Sequence, residues 1–347
     1  MSDLLLDGDP RSPLSEAASR RRVLGRDPFD VPPLAPDPWL LAMERLREEG
    51  PPETAQAAPR PRPLAEISDG ELPEGWLALL DENVRRRLAA TSGWVPTRGA
   101  DPFGLAPEAF RRAFPLFYGL YRLWFRVRSE GHRALPPAGS MVLVANHGGL
   151  LPFDGAMLVV DMLLHTDPPR ILRSLVDRFV RQLPGVRGFY ASTGQVIGTR
   201  QNFRRLLARG DAVLVFPEGT AAIRKTMPNR YRLEHFHPGF VEEALRAHVP
   251  IVPVALVGPD DQAPILYDSQ PLARRLGLPA VPITPTFPLL GPLGLLPYPV
   301  RYRIAYGEPF DFHERYGPKE AADRQLVEAL AGEVRRRIQH MLDHARA

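Results

Sequence analysis

From Gly75 to Ala90 the apolar residues Trp76, Leu80, Val84 and Leu88 recur every fourth position, the period of an amphipathic helix resting on a core. A stronger stripe follows in PEAFRRAFPLFYGLYRLWFRVR (107–128). There Phe110, Phe114, Phe117, Tyr121 and Trp124 fall at spacings of 4, 3, 4 and 3 on one helical face, flanked by Arg111, Arg112, Arg122, Arg126 and Arg128. Such a face either packs on the core or lies in a membrane interface with its arginines toward head groups. Pro115 bends this helix or sets its first turn.

Beyond Gly131 the pattern changes. Apolar runs of strand length (SMVLVAN 140–146, RILRSLV 170–176, GQVIGTR 194–200, DAVLVFP 211–217, PIVPVALVG 250–258 and VRYRIAYG 300–307) alternate with helical stretches. The helices are FDGAMLVVDMLL from Phe153, with Pro152 well placed near its start, RQNFRRLLARG closed by Gly210, PGFVEEALRAH, and a long one over 319–345. This alternation predicts an α/β domain over 131–347, preceded by amphipathic helices over 73–130. Residues 1–72, rich in Pro, Ala, Arg and acids, read as a largely disordered extension with one helical candidate, DPWLLAMERLREEG (37–50).

One run has the length of a bilayer span but not its chemistry. Between Arg275 and Arg301 there is no charge, yet seven prolines interrupt the segment, four of them (279, 282, 285 and 288) at every third residue. Proline at that density cannot form the hydrogen-bonded helix that a bilayer demands. The run is expected to be an extended apolar loop that covers the core, lines an acyl channel or touches lipid. The N-terminus lacks the charged-then-apolar order of a signal peptide, which predicts a cytoplasmic protein.

The 347 residues suffice for a buried core, and 40 prolines exceed ordinary usage. The net charge of +4 is small for this length, and lysine occurs only at Lys225 and Lys319. Abundant Arg, Ala, Pro and Gly together suggest a GC-rich genome, so the arginines do not mark a nucleic-acid partner. The absence of cysteine excludes disulfides, thiolate metal ligands and a cysteine nucleophile.

Candidate chemistry begins at NHGGLLPFD (146–154). Asp154 is the only acid between Glu130 and Asp161, so it is the natural carboxylate partner of His147. On a regular helix the two would lie about 10 Å apart along the axis. They can meet only if Gly148, Gly149 and Pro152 form a bend. Three further blocks follow in order: GQVIGTRQN (194–202), VFPEGT (215–220) and VPIVPVAL (249–256). Together the four resemble the glycerolipid acyltransferase superfamily, which includes the 1-acylglycerol-3-phosphate acyltransferases. The resemblance covers roughly residues 120–310. It implies a central mixed, mostly parallel sheet flanked by helices.

The chain departs from the family pattern in two places. Family members place Asp after His and four intervening residues; here Pro152 holds that position and Asp154 follows two residues later, as in branches related to neutral-lipid acyltransferases. The family often continues Arg-Ser after the threonine, whereas this chain has Ala221 and Ala222, with Arg224 and Lys225 as the nearest cations.

The resemblance implies transfer of a fatty acyl group from acyl-CoA or acyl carrier protein to a lipid hydroxyl, with no metal or redox cofactor. His147 would act as general base and Asp154 would orient it. Arg200 would bind an acceptor phosphate, and Glu218, Gly219 and Thr220, with Arg224 and Lys225 nearby, would line the acceptor site. The acceptor is a lysophospholipid or a neutral alcohol such as mono- or diacylglycerol, and the expected partner surface is the inner membrane, bound peripherally. A non-catalytic lipid-binding role on the same fold is the alternative. His235 and His237 of EHFH fall on one side of an extended segment, but no third ligand stands at a telling spacing, so no metal site is assigned.

Overall fold

The structure is a computed structural model and describes residues 62–71, 75–91, 99–149, 151–178, 180, 186–276 and 280–346. The helical candidate at 37–50 lies outside the described residues. The helices are α1 (Glu82–Ala90), α2 (Pro107–Gly119), α3 (Phe153–His165), α4 (Val186–Ser192), α5 (Arg200–Ala208), α6 (Gly239–Ala247), α7 (Gln270–Leu276), α8 (Phe312–Arg315) and α9 (Arg324–Arg346).

Seven strands form the main sheet: β1 (Arg128–Glu130), β2 (Met141–Ala145), β3 (Leu172–Val176), β4 (Val196–Ile197), β5 (Ala212–Val215), β6 (Ile251–Val257) and β9 (Arg303–Tyr306). Their spatial order is β1-β9-β6-β2-β5-β3-β4. All neighbouring pairs are parallel except β6 and β9, so the sheet is mixed and mostly parallel, as expected. A separate two-stranded ribbon joins β7 (Tyr267–Asp268) to β8 (Pro282–Ile283).

Strands β2 and β5 are buried along their whole length, which is why they read as unbroken apolar runs. Alternate residues serve opposite faces. Met141, Leu143 and Ala145 join a core with Val84, Leu88, Phe110, Phe114 and Met157, and therefore with α1, α2 and α3. Val142 and Val144 join a second core with Phe203, Phe240 and Val334, from α5, α6 and α9. Three layers result: helices, sheet, helices.

The N-terminal helices belong to this domain and do not stand apart from it. β1 lies before residue 131 yet is a strand of the sheet, and α1 and α2 share the core of β2. Part of the segment expected to be an extension is also folded. Ile67 is buried against Ala89 and Ala90, and Arg86 ties to the Ile67 carbonyl and to Asp69.

Two predicted helices are reshaped by local chemistry. The stripe at 75–90 divides into a 3₁₀ turn (Gly75–Leu79) and α1, because the Asp81 carboxylate accepts the Val84 N–H at 3.0 Å and caps a new start. The aromatic helix ends at Gly119 and continues as one wider turn, where the Phe125 N–H reaches the Leu120 carbonyl five residues back. Phe110, Phe114 and Tyr121 are buried, so the stripe is chiefly a core face. The apolar residues exposed on this segment are Leu116, Leu123 and Trp124.

The proline-rich run carries β8 and a 3₁₀ turn (Gly291–Leu295). Four of its leucines do not cover the core: Leu289 is 84% exposed and Leu293 70%, with Leu290 and Leu296 also open to solvent. Among the described residues no helix is long and apolar enough to cross a membrane.

Candidate active site

Three central strands, β2, β5 and β6, run parallel and deliver their following loops to one edge of the sheet. Carboxyl-end loops of parallel strands are where open α/β sheets place their sites. Asn146 follows β2 directly and is buried. Its side chain extends the ladder: Nδ2 donates to the Leu256 carbonyl at 2.9 Å, and Oδ1 accepts the Leu256 N–H at 2.7 Å. The next residue, His147, therefore starts from a fixed position.

The bend required by the seven-residue separation is present. Gly149 has φ +75°, a conformation that side chains disfavour. Gly148 is needed for space, since a Cβ there would collide with the Asp260 carboxylate. With the loop turned back, His147 Nδ1 and Asp154 Oδ2 lie 2.5 Å apart. Asp154 is in the first turn of α3 and fully buried, and its charge is matched by two backbone donors, Gly148 N–H at 3.1 Å and Gly155 N–H at 2.7 Å. With Nδ1 bound to Asp154, Nε2 is the nitrogen left to meet another molecule.

Phe216, just after β5, stacks on the imidazole with ring centres 4.5 Å apart. Desolvation pulls the His147 pKa down, but the Asp154 charge and hydrogen bond, helped by Glu218 and opposed by Lys225, outweigh it, and the net shift is upward from the usual 6.5. The side chain keeps 16% of its surface open.

Glu218 is a latch for this loop. One oxygen accepts the His147 backbone N–H at 3.1 Å; the other accepts the Glu234 N–H at 2.8 Å and pairs with Lys225 Nζ at 2.5 Å. Both oxygens carry partners and the group is buried, so the contacts of Glu218 in the structure are those that hold the loop. Gly219 has φ +59° and opens the turn Gly219–Arg224, and Thr220 is exposed.

The predicted phosphate ligands are engaged elsewhere. Arg200, the first residue of α5, places Nη1 2.6 Å from Glu242 and 3.9 Å from Glu243 on α6. Arg224 Nε lies 2.8 Å from Asp268 on β7. Lys225 is buried against Glu218. Hence the structure brings His147, Asp154, Glu218 and Lys225 together and directs Arg200 and Arg224 into ion pairs of their own.

Residues missed in the sequence lie in GPDDQ (258–262), directly after β6. Asp260 accepts the Tyr231 N–H at 2.6 Å and abuts Gly148. Burial, with the Glu218 and Asp261 charges adding to it, pushes the Asp260 carboxyl up to about 6 against the pull of Lys225 and the Tyr231 N–H. Gln262 donates toward the Leu151 carbonyl at 3.3 Å and accepts from the Tyr302 hydroxyl at 2.6 Å. Their signal was positional: a polar run immediately after a buried central strand. His235 meets Glu328 at 3.2 Å on the surface.

The Acyltransferase family profile matches residues 126–257. An uncharacterized protein of Mycobacterium tuberculosis is 40% identical over 270 residues, covering 75% of this chain and 74% of the relative. A 1-acyl-sn-glycerol-3-phosphate acyltransferase of Chlamydomonas reinhardtii is 30% identical over 188 residues (49% of this chain, 52% of that protein). A DGAT1/2-independent enzyme synthesizing storage lipids from Gallus gallus is 23% identical over 220 residues, 62% of each chain. The crystal structure of the lysophosphatidate acyltransferase PlsC from Thermotoga maritima superposes with a TM-score of 0.42 at 17% identity, covering 78% of this chain and 85% of that one. The chain belongs to the glycerolipid acyltransferase superfamily and is an acyltransferase.

Proposed function

We propose that the protein moves a fatty acyl group from a thioester, acyl-CoA or acyl carrier protein, to the hydroxyl of a lysophospholipid such as 1-acylglycerol 3-phosphate. The observation that carries this reading is the His147–Asp154 hydrogen bond at the carboxyl edge of the sheet. Nε2 of His147 takes the proton of the acceptor hydroxyl as its oxygen attacks the thioester carbonyl carbon. Asp154 holds the tautomer and stabilises the imidazolium. The carbon–sulfur bond then breaks, and the leaving thiolate takes up the proton from the imidazolium. No acyl-enzyme is needed.

A neutral acceptor, mono- or diacylglycerol, is the second reading, favoured by the ion pairs that occupy Arg200, Arg224 and Lys225. Exposed leucines on two segments support a membrane as the source of acceptor. Trp124 Nε1 donates to the Pro297 carbonyl at 3.1 Å and Arg126 to the Pro299 carbonyl at 2.7 Å, which joins Leu123 to the loop bearing Leu289, Leu290, Leu293 and Leu296. Each leucine transferred from water to hydrocarbon gains roughly 2 kcal/mol. Arg122 and Arg126 beside them suit anionic head groups.

The test is purified protein with labelled acyl-CoA or acyl-carrier thioester and a panel of glycerol 3-phosphate, lysophosphatidate, other lysophospholipids, monoacylglycerol and diacylglycerol. An ester that forms with wild type and falls about 10²–10⁴-fold in His147→Ala supports the mechanism; the acceptor that reacts chooses between the two readings. Folded protein that binds vesicles yet forms no ester with any donor would favour the non-catalytic alternative.

A further inference from the structure

The far half of α3 carries a second constellation. Asp161 lies seven residues beyond Asp154, about 10 Å along the helix, and is fully buried. Its two oxygens each receive one tyrosine hydroxyl, Tyr121 on Oδ1 and Tyr306 on Oδ2, both at 2.7 Å. These tyrosines come from the turn after α2 and from β9, so the carboxylate is clamped from two sides. The Ser129 hydroxyl is a third donor to this carboxylate, which leaves one of its four acceptor positions, the one that His132 now faces. Two imidazoles face it: His132 Nε2 is 3.0 Å from Oδ2 and His165 Nε2 is 3.6 Å from Oδ1. The rings stack with centres 4.2 Å apart and planes 25° from parallel, and one ligand atom from each of the three residues lies within 4.8 Å of the others.

We propose that His132, Asp161 and His165 form a binding site for a divalent d-block cation of the zinc type. A tetrahedral zinc with ligands at about 2.0–2.2 Å separates neighbouring donor atoms by about 3.3–3.6 Å. In the structure the 3.6 Å separation falls at the upper end of that range and the 3.0 Å one just below it. Convergence of both ring nitrogens on one ion requires the stacked rings to turn about their Cβ–Cγ bonds. Two imidazoles and a carboxylate are a donor set suited to zinc and its neighbours, and unsuited to magnesium or calcium, which take oxygen ligands. The tyrosine hydroxyls are the outer hydrogen bonds that fix a ligating carboxylate. His165 is 41% exposed, which opens a path for the ion and a place for water as fourth ligand. The site joins α3 to the turn following β1 (His132–Ala134), and its separation from His147 makes it a fastening of the fold and not part of acyl transfer.

The experiment uses the full chain with any affinity tag removed, titrated with Co²⁺ and followed by visible absorption, then with Zn²⁺ as competitor, and with melting temperature read in parallel. One equivalent of Co²⁺ should give saturable d–d bands that Zn²⁺ abolishes, and Zn²⁺ should raise the melting temperature. His165→Ala, at a half-open position that leaves the core intact, should weaken binding at least tenfold, as should His132→Ala. The double variant His235→Ala/His237→Ala should bind as wild type does. Folded wild-type protein without saturable bands overturns the proposal. So do bands that persist in both single variants, or that vanish only in the double variant.

Discussion

The imidazole of His147 can accept a proton only when neutral, and its surroundings set the pH at which that happens. Burial lowers its pKa and the Asp154 carboxylate more than reverses this, so the folded value lies above 6.5. Activity should therefore be low in acid and rise with pH through an apparent pKa above 6.5. Asp154→Asn removes the raising charge, so the rise should move to lower pH while the plateau falls by about 10²–10⁴. A pH–rate profile for kcat/KM in both proteins checks this; an unmoved limb would assign it to another group. At this scale the sequence was legible where acids were scarce. Asp154 had no local competitor for His147, and two glycines and a proline announced the bend. Arg200 and Arg224 were not legible. Their partners Glu242 and Asp268 lie 42 and 44 residues away, and only the packing of α5 on α6 and the β7–β8 ribbon brings them together.

At the scale of elements, periodicity found the helices and strands but not the way their exposed sides combine. The aromatic stripe that begins in α2 left core and membrane interface both open, because spacing of 3 and 4 marks any one-sided helix. The outward Leu116 and Leu123 were hidden within the same apolar composition. The proline-rich run could be excluded as a span because proline removes amide donors, but its contact with Trp124 across 173 residues is a tertiary fact. The double variant Leu289→Ser/Leu293→Ser should lower co-sedimentation with anionic vesicles about tenfold or more. Its melting temperature should change little, since both side chains already face solvent. Undiminished sedimentation would remove this loop from the lipid-binding face.

For the molecule as a whole, alternating strands and helices announced an α/β domain, while the boundary at 131 did not survive. β1 is three residues long and too short to show a period, and α1 and α2 reveal their common core with β2 only when the chain is assembled. The same assembly determines how the site can move. Asn146 is both the last rung between β2 and β6 and the residue before His147, so the loop cannot lift away without breaking the ladder at Leu256. The amide proton of Leu256 should then exchange with solvent deuterium only when the entire domain opens, at the slow, denaturant-sensitive rate of the innermost strands. In Asn146→Ala that proton should exchange through a smaller, local opening, well before its neighbours. The His147 loop and the sheet would in that sense share one cooperative unit of unfolding, and the proposed turnover would persist on heating until the fold itself is lost.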